Sequence, residues 1–469
     1  VSRPVPVLEL DSKDYSDLFP EGEDLQRQIG ARRRREGWAR IIFLLVLLLT
    51  ILALATLLYT IINGAFGMTA IVNAVEPEEI VESLGYDPAQ VGLADLSQEE
   101  LVEVLAGAVT NNVGRRLERD QRFFEDRLVF ESEATWIEIC ASPEPPTGCA
   151  LAPRDQSNIL QLVNERVVVP DVVQTWDLVE SITDREAIEA EIASADFQER
   201  HPGAQPEFRA WLNWQFVTSP QSDVPELAGV RTAILGSLWL MAITVLFAFP
   251  VGVAAAIYLE EFAKPNRVNR LIQTNINNLA GVPSIIYGML GLAILVRALE
   301  PLTSGSLFLG EGQGVSENGR TILAAGLTLG LLILPVMIIS SQEALRAVPN
   351  SLRAAGLALG ATKWQTIRKH ILPVAMPGIL TGSILALARA LGETAPLVVV
   401  GASTFITVDP TGPFSKFTAL PIQIYQWTAR PQQEFQNIAA AAILVLLILL
   451  LTLNATAVIL RNRYSRSKM

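Results

Sequence analysis

Arg389 and Glu393 stand four residues apart in ILALARALGETAPLVVVG, residues 384–401, a stretch that is otherwise apolar. Four residues make about one helical turn, so the two side chains share a face and can pair as guanidinium and carboxylate. A charge at bilayer depth costs about 3 kcal/mol, so each needs a partner or a water-filled path. The chemistry open to such a pair is reversible anion binding. The pair would serve equally as an ion bridge that only fixes helix packing. Gly392 and Pro396 loosen the same helix, a common feature of transport sites. In a second apolar stretch Asn277, Asn278 and Ser284 offer hydrogen bonds to an anion or to neighbouring helices. Arg297, at the end of that stretch, is either a further path residue or an anchor at the membrane surface.

A different pattern occupies EALRAVPNSLRAAGLALGATKWQTIRKHILPVAMPGI, residues 343–379. Leu345, Val348, Leu352, Leu357, Leu359, Trp364 and Ile367 recur at near-helical intervals, interrupted by Pro349, Gly356 and Gly360. This predicts two short helices separated by a bend, with an apolar face that must bury against a membrane surface or a protein.

The elements that carry these residues follow from composition. Half of the 469 residues are hydrophobic, 18% are charged, and the mean hydropathy is positive. Part of the chain therefore has lipid as its solvent. The formal charge of −12 argues against nucleic acid as a partner. Two Cys and two His are too few for a metal cluster or a disulfide framework. Six stretches are long enough to span a bilayer: 41–62, 231–257, 272–297, 321–340, 374–400 and 438–460. The first begins too far from the start for a cleaved leader, so it reads as a retained span.

Lys and Arg crowd the segments before the first span, between the second and third, between the fourth and fifth, and after the sixth. Threaded alternately, all of these fall on one side, which predicts a multi-pass membrane protein with both termini cytoplasmic. The chain then divides into a cytoplasmic segment 1–40, a first span 41–66, an insert 67–228 outside, a core 229–460 with a cytoplasmic loop 343–373, and a tail 461–469. The insert carries a net charge of roughly −20 and no Lys. It is too long to lack structure of its own. Helices are predicted from a capping box at Ser97 and Glu100 through residue 128, and at 178–199, with strands at TWIEIC and RVVVP. Cys140 and Cys149 bracket a Pro-rich turn, either disulfide-bonded or as two thiols.

The loop resembles the EAA loop of ABC importer permeases. Ala355, Gly360, Leu372 and Pro373 fall at the family's spacing, while Ala354, Gly356 and His370 depart from it. ALARALGETAPL and LAGVPSIIYGMLG, residues 386–397 and 279–291, resemble the PstA-type phosphate permease family. The likeness covers about 231–460, and not the insert. It implies an all-α polytopic fold of six transmembrane helices, of the type I ABC importer permease class, with a mixed α+β insert. It also implies a path for inorganic phosphate lined by Arg389, Glu393, Arg297, Asn278 and Ser284. Residues Ala355, Gly360, Ala361, Thr362, Trp364, Leu372 and Pro373 would couple to an ATPase. The chain has no GxxxxGK[ST] loop, so ATP and Mg would sit on a separate PstB-type ATPase dimer, and this chain would be non-catalytic with no cofactor of its own. A PstC-type second permease, a PstS-type phosphate-binding protein and the bilayer complete the implied partners. The alternatives are a permease for another oxyanion or small solute, an ion-coupled carrier, and a membrane sensor with an external ligand-binding insert.

Overall fold

The computed structural model describes residues 23–97, 163–222, 224–309, 319–402 and 409–466, with isolated positions 100, 101, 104, 160 and 406. The TWIEIC strand, the two cysteines and most of the 97–128 helix lie outside the described residues. Residues Val1–Thr60 and Ile61–Met469 form two compact units. The first holds most of α1 (Glu23–Ala65), one uninterrupted helix that includes the predicted first span.

In the second unit, β1 (Phe66–Asn73) is followed by α2 (Pro77–Ser83) and, after a long excursion, by β2 (Pro170–Thr175). Then come α3 (Leu178–Thr183), α4 (Arg185–Ile192), α5 (Ala195–Arg200), β3 (Gln205–Ala210) and α6 (Trp214–Thr218). The strands form one antiparallel sheet in the order β2-β1-β3. One face packs Met68 and Ala70 against Ile188, Ile192 and Phe197 of α4 and α5. The capping box at residue 97 is present: the Ser97 backbone N–H donates to the Glu100 carboxylate at 2.8 Å and the Ser97 hydroxyl at 2.7 Å. RVVVP, expected as a strand, is a π turn over Asn164–Val168, and β2 begins only at Pro170. Proline has no N–H to give a ladder, so it opens an edge strand rather than continuing one.

The other side of the sheet is continuous with the helices. Ile71 and Val172 share one core with Trp211 and Phe216 and with Val230, Ala233, Phe435 and Ile438. At this junction Glu226 is buried, accepting from the Val172 N–H at 3.2 Å. Arg209 donates to the Glu226 carbonyl at 2.8 Å. Burial pushes the Glu226 carboxyl up to about 7 from an ordinary 4.5. A raised folded-state value means that the stability present below about pH 4.5 is lost as pH rises through 7, by about 3 kcal/mol in full. Glu226→Gln should therefore melt near the wild type at pH 4.5 and above it at pH 8; a pH-independent difference would contradict the assignment.

The span helices are α7 (Arg231–Ile257, continued by a π turn over Tyr258–Phe262), α8 (Arg267–Leu279) and α9 (Ser284–Gly291, continued to Ala298). They are followed by α10 (Ile322–Arg346), α11 (Asn350–Ala358), α12 (Lys363–Thr366), α13 (Leu372–Leu391), α14 (Ala395–Val400), α15 (Leu420–Thr428) and α16 (Gln433–Arg466). Among the described residues five helices are long and apolar enough to cross a membrane, and α8 with α9 passes the same test as a bent pair, giving six if that pair is one span. Close approach at small residues sets their register. Gly326 faces Ile243, Gly330 faces Phe247 and Gly252 faces Met337, so α7 and α10 run side by side in the same direction. Gly378 meets Ala344 and Gly382 meets Ser340, so α13 runs the other way. Arg461 of α16 reaches Thr381 at 3.3 Å, near the 343–373 loop, while the start of α16 belongs to the core shared with the sheet. The sheet and the 343–373 loop thus lie at opposite ends of α7, α10 and α16.

Two spans expected to be continuous are broken. The 272–297 stretch bends by 107° between Leu279 and Ser284. Pro283 has no N–H to continue α8, and its extended backbone (ψ 136°) starts α9 in a new direction. The helix also begins earlier than expected, so Arg267 and Arg270 lie in α8 rather than in a loop. The 374–400 stretch ends as a helix at Leu391 and restarts at Ala395, because Pro396 cannot supply an N–H to Gly392.

Candidate functional site

Both breaks fall near the middle of the bundle. Gly382 lies opposite Ser340, and Arg389 is two turns further along α13, which brings it level with about Ile333, the centre of α10. Val282, Tyr287, Leu387, Ala390 and Leu391 belong to one cluster with Ile333 and Met337. The two half-helices also meet directly: a Cβ on Gly288 of α9 would lie 2.7 Å from the Pro396 Cα of α14. The Tyr287 hydroxyl donates to the Leu279 carbonyl at 2.8 Å and so spans the first break.

Arg389 sits in the last turn of α13 and Glu393 in the linker to α14, not within one continuous helix. The pair still forms, with Nε to Oε1 at 3.3 Å. Arg389 is 54% exposed and Glu393 18%, so the guanidinium faces away from the packed interior of this chain. A half-exposed cation at the centre of a bundle needs water or a second protein surface beside it, because acyl chains cannot solvate it. Ser284 is half-buried at the first turn of α9, and Asn278 is exposed in the last turn of α8. Arg297 is exposed toward the sheet end of the bundle, where Leu295 and Val296 pack near Ile322 at the start of α10. It therefore stands away from the breaks.

The second candidate surface is the 343–373 loop. α11 ends at Gly360, whose φ of +79° is left-handed and closes the helix. Thr362 then opens α12 with a capping box to Gln365. The apolar residues divide between two surfaces. Leu345, Val348 and Ile367 are buried and Leu352 packs against them, whereas Leu357, Trp364 and above all Leu359, 89% exposed, project outward. Ala361 and Thr362 complete the bend between the helices, and Leu372 and Pro373 open α13.

Residues 248–466 match the family described as the binding-protein-dependent transport system inner membrane component. The probable ABC transporter permease YqgI of Bacillus subtilis is 34% identical over 213 residues, 45% of this chain and 67% of that protein. Phosphate transport system permease PstA 1 of Mycobacterium tuberculosis is 35% identical over 235 residues, 50% of this chain and 70% of that one. Its PstC 2 is 39% identical over 196 residues, 39% of this chain and 60% of that one. This chain belongs to the ABC importer permease family. As a permease it is a multi-pass inner membrane subunit that works with a second permease subunit and a separate ATPase.

Two features of this permease escaped sequence reasoning. The first is that LAGVPS and ARALGETAP are full breaks in helices: Gly392 and Pro396 mark only a loosened helix in the second, and Gly281 and Pro283 are the matching signal in the first. The second lies where α7 ends. Glu260 pairs with Arg346 at 2.8 Å and Glu261 with Arg353 at 2.8 Å, which ties α7 to the 343–373 loop. A cavity of about 540 Å³ opens between these pairs, Leu357, Lys363 and Ile371.

Proposed function

We propose that this permease is the PstA-type half of an ATP-driven importer of inorganic phosphate, and that Arg389 and Glu393 line its translocation path. The observation that carries this reading is a half-exposed guanidinium, held by a carboxylate, level with the centre of α10 at the break of a span that meets a second broken span. Phosphate loses much of its hydration in a narrow path, and a cation offsets that cost. Glu393 keeps the empty site from trapping the anion. Ser284 and Asn278 are secondary candidates near the first break, and Arg297 belongs to the mouth of the path. The names of the relatives support phosphate over other oxyanions, as does the ARALGETAPL run.

In this reading the 343–373 loop is cytoplasmic and its exposed Leu357, Leu359 and Trp364 dock on a PstB-type ATPase, where ATP and Mg are bound. The chain itself is non-catalytic. Both termini are cytoplasmic, and the acidic 67–228 insert lies outside, at the opposite end of α7 and α10. Free phosphate would be repelled within about 8 Å of that insert at physiological salt. Delivery enclosed in a PstS-type binding protein avoids the repulsion.

The test is uptake of labelled phosphate into liposomes carrying the assembled importer and its binding protein. Uptake should require ATP inside the vesicles and resist a tenfold excess of sulfate or molybdate. Uptake that follows either competitor instead would transfer the assignment to another oxyanion.

A further inference from the structure

We propose that Arg353 and Glu261 are positioning residues for energy coupling: they clamp the loop helix α11 to the ends of α7 and α10, so that a push on the loop reaches this helix pair as one body. The inference rests on the reading that the 343–373 loop docks on an ATPase.

All five N–H donors of Arg353 are engaged. Nε and Nη2 donate to Glu261 Oε1 at 3.1 and 2.8 Å. Nη2 also donates to the Leu345 carbonyl at 2.8 Å. Nη1 donates to the Val348 carbonyl at 2.6 Å and to Asn350 Oδ1 at 3.1 Å. One planar group therefore fastens four places: the π turn that ends α7, the last turn of α10, the turn after it, and the first residue of α11. Lysine, a single point charge with three donors, could not hold that set.

The carboxylate partner is 6% exposed. A buried ion pair adds little net stability compared with apolar residues of the same size, so its value lies in defining one geometry. The geometry defined here is mechanical. α7 and α10 run in the same direction and interlock at Gly252, Gly326 and Gly330, so they have little freedom to slide past one another. The exposed tip at Leu357 and Leu359 belongs to the same short helix that Arg353 anchors. Displacement of the tip must either carry α7 and α10 along or break the four hydrogen bonds from Arg353 to Glu261, Leu345 and Val348.

The test uses the complete importer in liposomes, with ATP hydrolysis and solute uptake measured on the same preparation. Arg353→Ala and Glu261→Gln should still assemble with the ATPase and hydrolyse ATP within about twofold of wild type. Uptake per ATP should fall at least tenfold, with part recovered in Arg353→Lys. A purely structural role predicts that hydrolysis and uptake decline together at a constant ratio, and that result overturns the proposal. Glu261→Gln preserves shape and an acceptor, so it decides the matter if Arg353→Ala fails to assemble; a normal uptake ratio in that variant also overturns it. Gly360→Asp, run in parallel, separates the two failures. If it uncouples while the clamp variants do not, only the clamp is wrong. If none of these variants uncouples, the docking reading falls with it.

Discussion

Arg389→Ala should cut phosphate uptake by the assembled importer at least thirtyfold. A charge-assisted hydrogen bond to the passing anion is worth about 1.5–3 kcal/mol, and roughly 1.4 kcal/mol is a factor of ten. The loss here is twofold in kind. The passing anion loses its cation, and Glu393, now unpaired, stands as a negative charge level with the middle of α10. Arg389→Lys should fall between the two, because it keeps the charge and loses the planar fork. The truncation should not unfold the protein, since the Arg389 side chain is half-exposed and outside the packed cluster that holds Ala386 and Ala390. Uptake at the wild-type rate in an intact complex would remove Arg389 from the mechanism.

Gly360→Asp is the second large effect expected, and it isolates the partner surface. A Cβ at Gly360 meets no atom of this chain within 4 Å. The left-handed backbone costs a side chain about 1–2 kcal/mol, and Asp is among the residues that accept it most readily. The melting temperature should therefore change by only a few degrees. Uptake per ATP should fall at least tenfold, because a new carboxylate then stands in the apolar tip formed by Leu357, Leu359 and Trp364. Gly360→Asn, with the same backbone tolerance and no charge, should be milder. Unchanged coupling in the Asp variant would mean that the tip touches no ATPase.

The spans were legible because lipid imposes a length and a composition that no other solvent demands. The bend of the 343–373 loop was legible too, since Gly360 followed by a Thr–Gln capping pair is local chemistry. Helical spacing gives that loop a single apolar face, and the structure divides it into a buried half and an exposed half. Hydropathy cannot make that division, because both halves have the same composition. RVVVP departs from a strand for a related reason: β-branched residues favour extended backbone, yet the segment forms a π turn that closes on Val169 with a φ of +43°.

Sequence alone determined the apolar stretches long enough to cross a membrane, the charged pair within one of them, and the bend of the 343–373 loop. Each follows from residue type and near-neighbour spacing. Only the tertiary structure decided that two of the crossings are broken at a common depth, since a run of apolar residues records how long a segment is and not where its axis turns. The same holds for Glu261 and Arg353, 92 residues apart, whose pairing depends on how α7 and α10 lie together.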